Sequence, residues 1–106
     1  MTNKSETTEA EEVIDVEEFA KAGNPVPSEK TYKIRIDKTN YTVKKTILNG
    51  REILALAGLT PEKYQLNQHV RGGQTIPIGA DQEVDLTQPG VERFSILKIE
   101  NTEGSN

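Results

Sequence analysis

The hydrophobic residues near the start of the folded part of the chain alternate with polar ones. In residues 31–37 (TYKIRID), Tyr32, Ile34 and Ile36 occupy every second position. This spacing predicts a strand with one buried face. Residues 41–48 (YTVKKTIL) follow a short turn, so the two segments together predict an N-terminal β-hairpin.

The next segment, residues 49–61 (NGREILALAGLTP), supports two interpretations. Asn-Gly between apolar runs is a strong hairpin signal, whereas the spacing of the apolar residues is helical. Helix is favoured because Asn49 can cap the first turn together with Glu52 three residues later. Gly58, with Pro61 beyond it, marks the end of a short helix of roughly ten residues.

The remainder of the body predicts more strands. Residues 64–70 (YQLNQHV) alternate, imperfectly at Gln68, and residues 74–79 (QTIPIG) form a short strand whose proline suits an edge. Residues 81–86 (DQEVDL) and 87–90 (TQPG) are expected to be connecting turns, and residues 91–99 (VERFSILKI) form the last strand, with Phe94 and Ile96 in the core. The order predicts an α+β roll: a mixed sheet of four to five strands, one helix covering one face, and the last strand beside the first.

Composition and charge divide the chain into three parts. Residues 1–30 carry eight acidic residues against three lysines, a net charge of −5, whereas the rest carries +1. We therefore expect residues 1–30 to be a disordered acidic arm and linker, residues 31–99 to be one domain, and residues 100–106 to be a flexible tail.

Composition alone argues against several functional classes. The chain has no cysteine and one histidine, so thiol catalysis and ordinary zinc sites are not expected, and no cofactor is predicted. No catalytic arrangement of Ser, His and Asp can be assembled, so an enzyme is not expected. The chain has no basic stripe for nucleic acid, no apolar run long enough for a membrane and no signal-peptide pattern. A cytoplasmic protein is expected.

Residues 11–19 (EEVIDVEEF) combine a short β-branched core with flanking carboxylates and resemble a SUMO-interacting motif. Such peptides add a strand to a sheet edge, with their acids facing basic side chains. The motif could dock on its own domain, dock on a neighbouring copy, or remain a solvated tail with at most a short helical turn. Its apolar members are Val13, Ile14, Val16 and Phe19. The candidate receiving face consists of Lys33, Arg35, Lys44 and Lys45.

Arg71-Gly72-Gly73 resembles the ending of ubiquitin but lies inside the chain. Cleavage after Gly73 would remove the last strand and its buried side chains, at a cost of several kcal/mol. We therefore predict that the two glycines form a turn between two strands. His69, just before them, is expected to have a surface or pairing role.

The body resembles the bacterial multiubiquitin family. The resemblance is carried by residues 32–43 (YKIRIDKTNYTV), 49–66 (NGREILALAGLTPEKYQL) and 84–96 (VDLTQPGVERFSI). It implies a ubiquitin-like β-grasp roll and the function of a protein modifier. It further implies an activating enzyme, a conjugating enzyme, a deconjugating metalloprotease and target proteins as partners, and it suggests a link to antiviral defence.

In such modifiers the activating enzyme adenylates the C-terminal carboxylate, which is then transferred to a target. This chain ends in Gly104-Ser105-Asn106 rather than in a diglycine. Three possibilities remain open: removal of the last two residues to expose Gly104, direct use of the carboxylate of Asn106, or no conjugation. The alternative function is a non-covalent module that self-associates through its arm. A sulfur carrier is disfavoured because it needs a free terminal diglycine.

Overall fold

The computed structural model describes residues 13–99 of the chain. These residues form one mixed six-stranded sheet, a separate two-stranded sheet and two short helices. In chain order the elements are β1 (Val13–Asp15), α1 (Val16–Ala22), β2 (Thr31–Ile36), β3 (Thr39–Val43), β4 (Ile47–Asn49), α2 (Gly50–Leu56), β5 (Tyr64–Val70), β6 (Thr75–Ile78), β7 (Glu83–Asp85) and β8 (Val91–Lys98). No helix in this part of the chain is long and apolar enough to cross a membrane.

The main sheet is built around β2 and β8. The strand order is β1-β2-β8-β5-β6, and β3 pairs with β2 as well. β8 runs parallel to β2, with Ile36 opposite Phe94, and antiparallel to β5. The last strand therefore lies beside the first strand of the hairpin, as the sequence indicated.

The core lies on the face of the sheet that α2 covers. Tyr32, Ile34 and Ile36 of β2 are all buried, as their alternation predicted. Phe94 of β8 is completely buried in the same cluster, and Ile53 is one of the α2 residues that join it. Burying each of these large side chains contributes about 1.5–3 kcal/mol.

The Asn-Gly segment forms a helix because Asn49 and Glu52 cap its first turn, each side chain accepting a hydrogen bond from the backbone of the other residue. Asn49 Oδ1 accepts from the backbone N–H of Glu52 at 2.8 Å, and Glu52 Oε1 accepts from the N–H of Asn49 at 2.9 Å. Gly50 is required at the next position, since a Cβ there would lie 2.3 Å from the carbonyl oxygen of Gly79. The helix ends at Leu56, shorter than expected.

The disorder predicted for the whole of residues 1–30 is wrong for residues 13–22, which form β1 and α1. The expected single helix and four to five strands become two helices and a six-stranded main sheet, because the arm adds one strand and one helix. Residues 83–85, expected in a turn, form β7, which pairs with β4. Residues 1–12 and 100–106 lie outside the described part.

Candidate functional site: the docked acidic arm

The acidic arm adds a strand to one edge of β2. Val13, Ile14 and Asp15 pair in parallel with Thr31, Tyr32 and Lys33. Because β3 pairs with residues 32–36 from one side, β1 and β8 must share the opposite edge of β2. β1 takes the beginning of this edge and β8 takes its end. Of the dispositions left open by the sequence, the structure shows the arm on its own domain.

The apolar residues of the motif divide between the core and solvent. Ile14 and Val16 have only 3 % and 1 % of their surface exposed, whereas Val13 has 45 %. Phe19 is half-buried and packs against the core, next to the buried Ala20. Three of the four predicted motif residues therefore contact the body, and they do so through both the strand and the helix.

Two carboxylates of the arm meet two basic side chains of β2. Asp15 lies 3.2 Å from the Lys33 ammonium, and Glu17 accepts from Arg35 Nη2 at 2.9 Å. Glu17 is also 3.0 Å from Lys21, one helical turn further on. Since these groups are partly exposed, each pair is worth only about 0.2–1 kcal/mol. The ion pairs orient the arm, while burial of Ile14 and Val16 supplies most of the stabilisation.

The chain folds locally in a way that supports this docking. Asp15 caps α1, with its Oδ1 3.3 Å from the N–H of Glu18. Gly23 ends the helix and adopts the left-handed conformation, with φ 74°. Its backbone N–H donates a hydrogen bond to the carbonyl of Ala20. The segment that returns to β2 is held by the Tyr32 hydroxyl, which donates to the carbonyl of Pro27 at 2.7 Å.

The other two predicted receiving residues do not meet the arm. Lys45 pairs with Glu52 of the capping box, and this hydrogen bond, followed by that from the N–H of Asn49, holds the pKa of Glu52 below its usual value. Lys44 is exposed and has no ion pair within residues 13–99. The structure thus separates the predicted face into a receiving pair, Lys33 and Arg35, and two lysines that follow β3.

His69 lies on the sheet face that α2 does not cover. Its Nε2 is 2.8 Å from Ser95 Oγ and its Nδ1 is 3.3 Å from Thr75 Oγ1. Burial, followed by the positive charge of Arg93, lowers the pKa of His69. The imidazole therefore has a pairing role across β5, β6 and β8, and no carboxylate is bonded to it that could complete a catalytic triad.

Gly72 and Gly73 form the turn between β5 and β6, as predicted. Both have positive φ, 100° and 94°, and the N–H of Gly73 donates to the carbonyl of Val70.

Gln68, which interrupts the alternation of β5, lines an open groove together with Asp85 and Val91 rather than a closed core. Hydrogen bonds from the hydroxyl and N–H of Thr87 lower the pKa of Asp85, so the rim of this groove is anionic.

The predicted tail residues Gly104, Ser105 and Asn106 lie outside the described part. The structure does fix where the tail begins. Ile99, one residue after β8, donates its N–H to the carbonyl of Lys63 at 2.8 Å. No group of three or more metal-ligating side chains occurs within residues 13–99.

The architecture is that of a small α+β domain whose mixed sheet carries an added strand. The model of the Multiubiquitin family matches residues 32–99, about two thirds of the chain. The chain belongs to this family of ubiquitin-like domains. The match begins after the docked arm. No curated protein and no solved structure matches the chain.

Proposed function

We propose that this protein is a bacterial ubiquitin-like modifier that acts in the cytoplasm. The observation that carries the proposal is the family match over residues 32–99. The strand arrangement supports it: a hairpin, a covering helix and a last strand parallel to the first are the elements of a β-grasp roll. Since the described residues offer a binding surface and no catalytic cluster, the chemistry would be supplied by partner enzymes.

The tail is the reactive part under this proposal. Its carboxylate attacks the α-phosphate of ATP, giving an acyl adenylate and releasing pyrophosphate. A nucleophile of the conjugating enzyme or the target then displaces AMP and forms the new acyl bond. A glycine near the end of the tail suits this role because, without a Cβ, it can pass through a narrow active site. Either Gly104, after removal of Ser105-Asn106, or Asn106 itself would provide the carboxylate.

The partners of this pathway would be an activating enzyme, a conjugating enzyme, a deconjugating metalloprotease and the target proteins. The anchoring of Ile99 to Lys63 means that only the residues after it must extend into an active site. The rest of the domain would be recognised as a rigid body. We include a role in antiviral defence in the proposal only because the resemblance to the family suggests it.

The test is reconstitution with the cognate activating and conjugating enzymes and ATP, followed by intact mass spectrometry. Three versions are compared: the full chain, a chain that ends at Gly104 and a chain that ends at Glu103. We expect adducts from the first two when the metalloprotease is present, and none from the third. Adducts from the full chain alone, without protease, would assign the reaction to Asn106. Persistent unmodified protein in all three would refute the modifier function.

A second function, non-covalent assembly through the arm, is favoured by one observation. The arm adds a strand to β2 with matched charges, Asp15 to Lys33 and Glu17 to Arg35. The same contacts made to a neighbouring copy would join two domains.

Charge reversal separates the intramolecular and intermolecular arrangements. One variant carries Asp15→Lys with Glu17→Arg, and the other carries Lys33→Glu with Arg35→Glu. Each repels its own arm, whereas the arm of each complements the body of the other. If the arm can exchange, an equimolar mixture forms a dimer by light scattering and the separate variants stay monomeric. A monomeric mixture, together with a monomeric unaltered chain at high concentration, would refute assembly through the arm.

A further inference from the structure

The outer edge of β3 differs from the other outer edge of the main sheet, that of β6. Residues 37–38 form a two-residue turn between β2 and β3, so Ile36 and Thr39 are a hydrogen-bonded pair. Hydrogen-bonded and non-bonded pairs alternate along an antiparallel ladder. Asn40 and Thr42 therefore direct their N–H and C=O groups away from β2, towards a side on which no described strand pairs.

The edge of β6 is blocked against a further strand. The N–H of Val70 donates to the carbonyl of Gln74 at 3.0 Å, so these two residues are a hydrogen-bonded pair. This fixes which of the following pairs between β5 and β6 are hydrogen-bonded and which are not. Thr75 and Pro77 are then the residues whose backbone faces outward. Proline has no N–H to offer and is a known means of protecting an edge strand. β3 contains no proline, so its outward groups remain available.

The charge around β3 indicates what could pair with it. Residues 38–46 contain three lysines and no acidic residue. Lys38 and Lys44 are exposed and have no ion pair within residues 13–99, while Lys45 pairs with Glu52. An added strand would also place side chains beside Tyr41, which is half-buried on the face that α2 covers.

We propose that the outer edge of β3 binds an acidic, β-branched segment of a partner protein as an additional strand. The molecule contains an example of this chemistry on the opposite edge of the hairpin, along β2. There, Val13–Asp15 pairs with β2 and the carboxylate of Asp15 meets Lys33. On β3, Lys38 and Lys44 would form ion pairs with the carboxylates of the added strand, as Lys33 does with Asp15. This site is independent of the tail, so it stands whether or not the protein is a modifier.

The test is a titration of the ¹⁵N-labelled full chain with a blocked synthetic peptide of sequence EEVIDVEEF. The control peptide has every Glu and Asp replaced by Lys. We expect saturable amide shifts in residues 39–45 with the acidic peptide alone. Shifts in residues 13–22 and 31–35 instead would mean that the peptide replaces the arm, and shifts in residues 75–78 would mean that it binds β6. Either result, or the absence of saturable shifts, would overturn the proposal.

Two variants test the mode of binding. Thr42→Pro removes the outward N–H from β3 as Pro77 does on β6, and should weaken the peptide about two- to tenfold. Thr75→Pro changes the other edge and should leave peptide affinity unchanged. Lys38→Glu with Lys44→Glu should weaken binding about two- to fivefold per charge. Equal affinity of all variants would refute the site, and growth in mass without peptide would show that a second copy is the occupant instead.

Discussion

Truncation of Ile14 tests whether the acidic arm is an integral part of the domain. Ile14 and Val13 are adjacent in β1, but their exposed fractions are 3 % and 45 %. Ile14→Ala therefore removes buried contacts to the core, whereas Val13→Ala removes mostly solvent-exposed surface. The pair compares the two faces of one strand without changing any charge.

The expected magnitude follows from this difference in burial. Replacing a buried isoleucine by alanine costs about 2–5 kcal/mol, and β1 is short, so we expect the lower half of this range. Val13→Ala should cost no more than about 0.5–1 kcal/mol, since little of its packing is lost. For a domain of this size, a loss of about 2 kcal/mol lowers Tm by roughly 8–16 °C.

The assay is urea unfolding followed by far-UV circular dichroism, with the free energy of unfolding and the slope m fitted for each variant. An unchanged m would show that the arm unfolds together with the body. Equal stabilities of Ile14→Ala and Val13→Ala, within about 0.5 kcal/mol, would refute the docked arm. Native-state hydrogen exchange then distinguishes local undocking, in which protection is lost only in residues 13–22, from global destabilisation.

Three further changes have defined outcomes. His69 has a folded-state pKa below its unfolded value, so its contribution to stability is complete above about pH 6.5 and is lost as the pH falls through the folded pKa; urea midpoints between pH 7.5 and 5 should show a smaller decrease for His69→Gln, and an identical decrease would contradict this. Gly50→Ala should destabilise by about 1–3 kcal/mol, because the new Cβ would meet the Gly79 carbonyl oxygen, and unchanged thermal unfolding would argue against that close approach. Asn49→Ala should cost about 0.5–2 kcal/mol in chemical denaturation through loss of the cap to Glu52, and a neutral effect would mean that the cap is dispensable.

The strands were predicted from alternation of apolar and polar residues, and this alternation becomes alternating burial most clearly in β2. β2 buries Tyr32, Ile34 and Ile36, and the predicted bounds of the third strand, residues 64–70, are those of β5. The helix that begins after Asn49 is also predicted correctly over the competing hairpin, because the capping signal is local. What local signals could not show is the close approach of Gly79 to Gly50, since that depends on how a distant loop packs.

The sequence left docking of the arm open but could not predict its ordered strand and helix, because the stability of the arm is tertiary. β1 has three residues and α1 has seven, too few for either element to persist alone. Signals of the helix were nevertheless present: Asp15 stands three residues before Glu18, and Gly23 follows a short Ala-rich turn. The acidic composition outweighed them, although the carboxylates of Asp15 and Glu17 have cationic partners on β2 that only the folded structure reveals.

The parallel arrangement of β1, β2 and β8 separates the two functions proposed for this protein. β1 and β8 both run in the direction of β2, so the described part of the chain begins at one end of the sheet and finishes at the other. Ile99, where the described part ends, therefore lies at the opposite end of the sheet from Val13, where β1 begins. Charge reversal at Asp15 and Glu17 should accordingly leave the rate of adduct formation unchanged in any variant that stays folded. Loss of the tail should likewise leave exchange of the arm unaffected, so that failure of one function does not imply failure of the other.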